Sequence, residues 1–185
     1  MAVHFALPPG VVGNATLSPD ERFRYSLERW WEPNLPRFTF ILLNPSEAGA
    51  DRDDRTSQRL LALTVANGGG GYELVNLFAM VDTHQSDLVY PAAVGETTRA
   101  NDEWISRAVD RSDTLVLGWG DGSGKGPTAA PRKAGVKRRA KEVWSLVRYS
   151  RPMCFTVKAS GSPGHPLYLK SASPLSRYAA RPDYL

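Results

Sequence analysis

The sequence predicts an α/β fold: a three-layer sandwich with a central, mainly parallel four-stranded sheet flanked by helices. Three observations predict it. Short, nearly continuous apolar runs rich in β-branched and aromatic residues alternate with segments of helical spacing. Each apolar run stops at asparagine, proline or glycine. The 185 residues contain no internal repeat and no linker long enough to divide them, so residues 1–185 are read as one domain.

The elements follow in order. Between Asn14 and Trp31, turn residues are mixed with the alternating run FRYSLERWW, which suits a strand better than the short helix that is its alternative. Phe38 to Leu43 (FTFILL) is the clearest strand and ends at Asn44-Pro45. Thr56 to Ala66 carries Leu60, Leu61, Leu63 and Val65 among good helix formers, and Gly68 to Gly71 end it. Glu73 to Phe78 (ELVNLF) is a second core strand, and Asn101 to Val109 has amphipathic helical spacing. Thr114 to Leu117 (TLVL) is a third strand, stopped by Gly118-Trp119-Gly120. The composition of Asp121 to Ala134 is that of a mobile loop; Val136 to Val147 returns to helical spacing, and Pro152 to Val157 (PMCFTV) is a fourth strand.

Charge and composition narrow the function. The net charge of +4 hides nine basic and fifteen acidic side chains up to Asp110, against fourteen basic and four acidic after it. A basic C-terminal part can attract a polyanion such as nucleic acid, although a solvated basic face gives the same count. No apolar run approaches the roughly 20 residues of a membrane span. The N-terminus lacks the basic and cleavage features of a signal peptide, so a cytoplasmic protein is expected. Cys154 stands alone, and with His4, His84 and His165 as the only histidines, no metal site is expected.

In a parallel sheet, ligands bind where strand C-termini open into loops. Asn44, followed by Pro45 and Ser46, could aim its amide at a substrate or a water, or simply cap the strand. Asp51, Asp53 and Asp54 precede a helix whose N-terminus favours negative charge; Asp54 or Ser57 could cap it without any chemistry. Magnesium ligation is the less favoured reading, since no second acidic motif completes such a site. Asn76, in VNLF, is a polar residue at a buried position, able both to donate and to accept as reading a base edge requires, or satisfied within the core. The glycines from Gly118 to Gly126 lack the spacing of a phosphate-cradling loop. SASPLS, from Ser171 to Ser176, is by itself only a turn.

Taken in order, strand-LLNPS, strand-VNLF, strand-VLGWG and SASPLSRY resemble the uracil-DNA glycosylase superfamily. LNPS, DDRT, NLFA, WG and HPLY also resemble, over roughly Phe23 to Tyr168, an uncharacterised bacterial and phage family, a domain of unknown function. The first resemblance implies a glycosylase-like fold and a metal-independent, cofactor-free DNA glycosylase that leaves an abasic site. The phage context extends this to hypermodified phage DNA and antiviral defence. Asn44 would then position the attacking water, with Asp54, or less favourably Asp51 or Asp53, the nearby carboxylate, and Pro45, Ser46, Asn76 and Phe78 would surround the base. Ser171 falls where that superfamily carries histidine or asparagine to donate to the leaving base, so His165 or Lys170 becomes the alternative donor. Leu175 would be the wedge that fills the hole left by a flipped nucleotide, with Ser173 and Ser176 on phosphates. Lys125, Arg132, Lys133, Lys137, Arg138, Arg139, Lys170 and Arg177 would track the DNA backbone, and the protein would act as a monomer. A nucleotide N-glycosidic hydrolase or transferase and a non-catalytic nucleic-acid binder are the rival functions.

Overall fold

The computed structural model describes residues 4–81, 95–122, 129–170, 172–181 and 183–185; for residues 95–97 and 168 only the backbone is described. The chain opens with β1 (Phe5–Ala6), β2 (Val12–Leu17), β3 (Arg24–Trp30), β4 (Arg37–Leu42) and β5 (Arg52–Asp53), then α1 (Arg55–Ala66) and β6 (Gly71–Asn76). It continues through α2 (Gly95–Asp110), β7 (Thr114–Leu117), α3 (Ala129–Val147), β8 (Met153–Cys154), a 3-10 turn at Pro166–Tyr168 and β9 (Ser176–Arg177).

These strands form a seven-stranded mixed sheet in the order β2-β3-β6-β4-β7-β8-β9, and β1 and β5 form a separate pair. The expected central, mainly parallel four-stranded sheet is therefore corrected. Among the described residues, four of the seven strand pairings are antiparallel: β1 with β5, β2 with β3, β3 with β6, and β8 with β9. The reason lies in what apolarity can reveal. β2, VGNATL, carries glycine and asparagine and is at most half-buried, and both residues of β9 are exposed, so neither edge strand has the apolar signature of a core strand.

Other boundaries shift for local reasons. Of the expected PMCFTV strand, Met153 and Cys154 pair with neighbouring strands, and the chain then turns back through a bridge between Val157 and Pro163. α3 begins at Ala129, inside the stretch expected to be a loop; residues 123–128 of that stretch lie outside the described residues. α2 begins at Gly95, six residues before the expected helix.

Alternation along the strands divides the core. Phe38, Phe40 and Leu42 of β4 pack with Tyr72, Leu74, Leu60 and Leu63 on the face covered by α1. Ile41, Val75, Leu115 and Leu117 pack with Ile105 and Ala108 of α2 and Val136, Ala140 and Val143 of α3 on the other face. α1 starts where it does because Asp54 and Ser57 form a reciprocal capping box: the Asp54 carboxylate accepts from Ser57 N at 2.8 Å and Ser57 Oγ accepts from Asp54 N at 2.8 Å. It stops where the Asn67 amide donates to Leu63 O and Gly68 takes a positive φ of 79°.

Candidate functional site

β6, β4, β7 and β8 run parallel to one another, so their C-terminal ends open at one edge of the sheet. Backbone bonds continue the pairing past the strands: Leu77 N donates to Leu42 O at 2.8 Å, Phe78 N to Leu43 O at 3.0 Å and Gly118 N to Ile41 O at 3.0 Å. This edge carries Asn44, Pro45 and Ser46 after β4, and Asn76 and Phe78 at the end of β6. His165 joins them through the loop that follows β8, because Gly120 N donates to Pro163 O at 2.9 Å. Close approach is built in at Gly118, where a Cβ would lie 2.9 Å from Leu42 Cδ2 and 3.0 Å from Pro166 Cδ.

Asn76 is 1% exposed, and neither its Nδ2 nor its Oδ1 has a partner. It lies on the α1 face with Tyr72 and Leu74, paired in register with Leu42. A buried unpaired donor or acceptor costs about 1–3 kcal/mol, so this amide is kept at the expense of stability. Its backbone is held instead: Asn101 Nδ2 of α2 donates to Asn76 O at 3.0 Å and Leu77 O at 3.1 Å.

His165 precedes the 3-10 turn and its Nδ1 accepts from Leu167 N at 3.3 Å. With Nδ1 accepting, the neutral ring carries its proton on Nε2. Burial pulls its pKa down to about 4, partly opposed by the negative charge of Asp54. The ring is thus a neutral Nε2–H donor at pH 7. Asp54 uses Oδ1 for both the Ser57 N and Ser57 Oγ bonds, so the expected capping role is occupied while Oδ2 is uncommitted among the described residues. Asn44 is part-buried and donates through Nδ2 to Pro45 O at 3.1 Å.

Two arginines on β3 hold the loop between β4 and α1. Arg29, fully buried, bonds Asp53 Oδ1 at 2.9 Å, Gly49 O at 2.7 Å and Arg52 O at 3.0 Å. Arg24, 2% exposed, donates through Nη1 to Ala48 O at 2.8 Å and Ser46 O at 3.4 Å. Arg24 reaches the same face because the β2–β3 register skips Tyr25, turning the strand by one residue. Neither arginine figures among the sequence-predicted site residues. The available signal was two arginines flanking Leu27 in a run otherwise rich in apolar residues.

The remaining predicted residues divide. Ser173 O accepts from Asn67 Nδ2 at the C-terminal end of α1, whereas Asp54 sits at its N-terminal end, about 18 Å away for twelve helical residues. Leu175 packs against the α1-side core. Ser176 Oγ donates to Cys154 O at 3.3 Å, and Ser176 and Arg177 form the outer edge strand. Ser173 thus stands away from Asp54, whereas Ser176 lies beside the C-terminal end of β8. Arg139 is 5% exposed and bonds Leu77 O, Asp102 and Glu142, so it is an internal tie and not a surface cation. Arg132 is buried, Lys137 donates to Asp183 O at 2.6 Å, and Lys133, Arg138 and Lys170 are exposed. Ser171 and Lys125 lie outside the described residues. Among the described residues, no three His, Cys, Asp or Glu side chains are grouped as metal ligands, and no helix is long and apolar enough to cross a membrane.

Fold and site together define a mixed-sheet α/β protein whose polar residues gather at the C-terminal ends of its parallel strands. The chain belongs to the family described as protein of unknown function (DUF1643), whose model matches residues 24–167. That span contains Arg24, Asn44, Asp54, Asn76 and His165 and stops short of SASPLS. Comparison with curated proteins finds no match. Comparison with solved structures finds none either.

Proposed function

We propose that this protein hydrolyses the N-glycosidic bond of a nucleobase in DNA, releasing a modified or damaged base and leaving an abasic site. The observation that carries the reading is the Asn76 amide, buried with donor and acceptor both unpaired. A donor and an acceptor fixed side by side match the edge of a base. Burial sharpens the discrimination, because a base lacking the complementary edge leaves both groups unpaired.

The chemistry requires water to add across the sugar–base bond. The water's hydroxyl goes to the anomeric carbon and its proton to the Asp54 carboxylate; the base leaves with the bonding electron pair. Asn44 orients the water. The His165 Nε2–H donates a hydrogen bond to the base as negative charge develops on it, and the neutral ring keeps its proton as it does so. The departing base takes up the proton that water released.

The test is incubation of purified protein with DNA containing a panel of damaged and hypermodified bases, scored for abasic sites. Asn44→Ala should abolish them. Asp54→Ser, which keeps a helix cap, should remain as stable as the parent to within a few tenths of a kcal/mol while losing turnover. DNA left intact across the panel sinks the proposal. A second reading, hydrolysis of a free nucleotide, is favoured by the packing of Leu175 onto the core, where it is not poised as a wedge. That reading expects mononucleotide turnover that survives neutralising Lys133 and Arg138.

A further inference from the structure

Arg24 holds the Ser46–Ala48 segment with Nη1 alone, and its Nε and Nη2 have no partner although the residue is 2% exposed. These two nitrogens are the side-on edge of the guanidinium, the pair that meets two oxygens of one oxyanion in parallel hydrogen bonds. No carboxylate among the described residues lies within salt-bridge distance of Arg24, whereas Arg29, five residues on, is paired with Asp53 at 2.9 Å. Two buried arginines on one strand are thus treated differently: one is closed by a carboxylate, while the other feels the charge of Asp54 without a salt bridge and keeps its bidentate edge unpaired.

The surroundings suit a ligand. Arg24 lines a pocket of about 440 Å³ together with Arg52 and His4, and with the carboxylates of Glu21, Glu47 and Asp51, of which Glu47 pairs with His4 at 3.3 Å. Arg24 N donates to Ala79 O at 2.8 Å, just past the end of β6 that carries Asn76, so the guanidinium belongs to the same edge of the sheet as the base-reading amide. We infer that Arg24 binds a phosphate group through Nε and Nη2 at the wall of this pocket. The Nε and Nη2 atoms are covered in the free chain, so binding requires the residues over them to move aside. Assigning the phosphate to a nucleotidic substrate rests on the proposed function above; the binding itself does not.

The experiment is a titration of the full chain with inorganic phosphate at constant ionic strength, followed by calorimetry and by the arginine Nε–H spectrum, with acetate and chloride as comparison anions. The expected result is saturable phosphate binding that shifts one buried guanidinium resonance, and binding at least about tenfold weaker in Arg24→Lys, which keeps the charge but loses the two-pronged edge. Phosphate that gives no saturable response, or acetate that binds equally well, overturns the inference. The wild-type guanidinium spectrum decides the matter even where Arg24→Lys fails to fold. Base release without phosphate binding would refute this site and leave the proposed function standing; phosphate binding without base release would do the reverse.

Discussion

Asn76 is kept in a state that costs stability, and His165 in one that makes stability depend on pH. For His165, the folded pKa of about 4 lies below the ordinary 6.5, so between these values the unfolded chain binds more protons than the folded one. Stability from this group is fully present above pH 6.5 and is lost as pH falls through 4. The loss should amount to roughly 1–3 kcal/mol, since each unit of pKa difference is about 1.4 kcal/mol. Urea melts between pH 7 and 4 should show it, and His165→Gln should flatten that part of the profile. For Asn76, replacement by leucine keeps the branching and number of heavy atoms and removes two unpaired polar atoms from the interior. Asn76→Leu should therefore hold or raise the unfolding free energy, by on the order of 1 kcal/mol, while removing base release. A marked loss of stability in that variant would mean the amide has a structural role.

At the scale of elements, the loop from Leu43 to Asp54 owes its shape to β3 more than to its own sequence. Arg29 bonds two of its carbonyls and the Asp53 carboxylate, with both partners of the ion pair fully buried. Arg29→Ala leaves the Asp53 charge without its partner and should cost about 3–5 kcal/mol, read by chemical denaturation. Replacing the pair together, as Arg29→Met with Asp53→Leu, should cost much less, because no charge is then left buried alone. The same loop carries Asn44 and Ser46, so the double variant separates folding from turnover. α1 contributes differently: its capping box fixes Asp54 Oδ1 toward Ser57 and so fixes where Oδ2 stands.

At the scale of the whole molecule, the opposite charges of the two parts of the chain meet inside the fold. Arg111 pairs with the buried Glu73 at 2.9 Å, and Arg139 with Asp102. The polycation that the proposed function would offer to DNA is correspondingly smaller than the sequence suggests, with Lys133 and Arg138 exposed on α3. Neutralising these two by glutamine should leave stability unchanged and lower the slope of log affinity against log salt by about 2 for duplex DNA. Arg139→Gln should instead lower the melting temperature, since Arg139 is itself buried and would lose its bonds to Leu77 O and to the part-buried Asp102. An unchanged salt slope in the Lys133/Arg138 variant would remove α3 from the binding surface.

The sequence by itself determined the core strands and helices and the residues that end them. FTFILL, TLVL and the helix after Asp54 stand within a residue or two of their expected bounds, because burial and capping leave a local record in apolar runs, glycines and an aspartate. It also singled out Asn44, Asp54, Asn76 and His165, polar residues at strand and helix ends. Tertiary structure alone decided the rest. The edge strands β2 and β9 have too little apolarity to be read, since an edge needs only one neighbour and faces water. That Arg24 turns inward depends on a skipped residue in the β2–β3 register, and that Arg139 is a tie and Leu175 a core contact depends on what packs over them. A side chain's type is written locally; whether it is paired, buried or left open is set by residues distant in the chain.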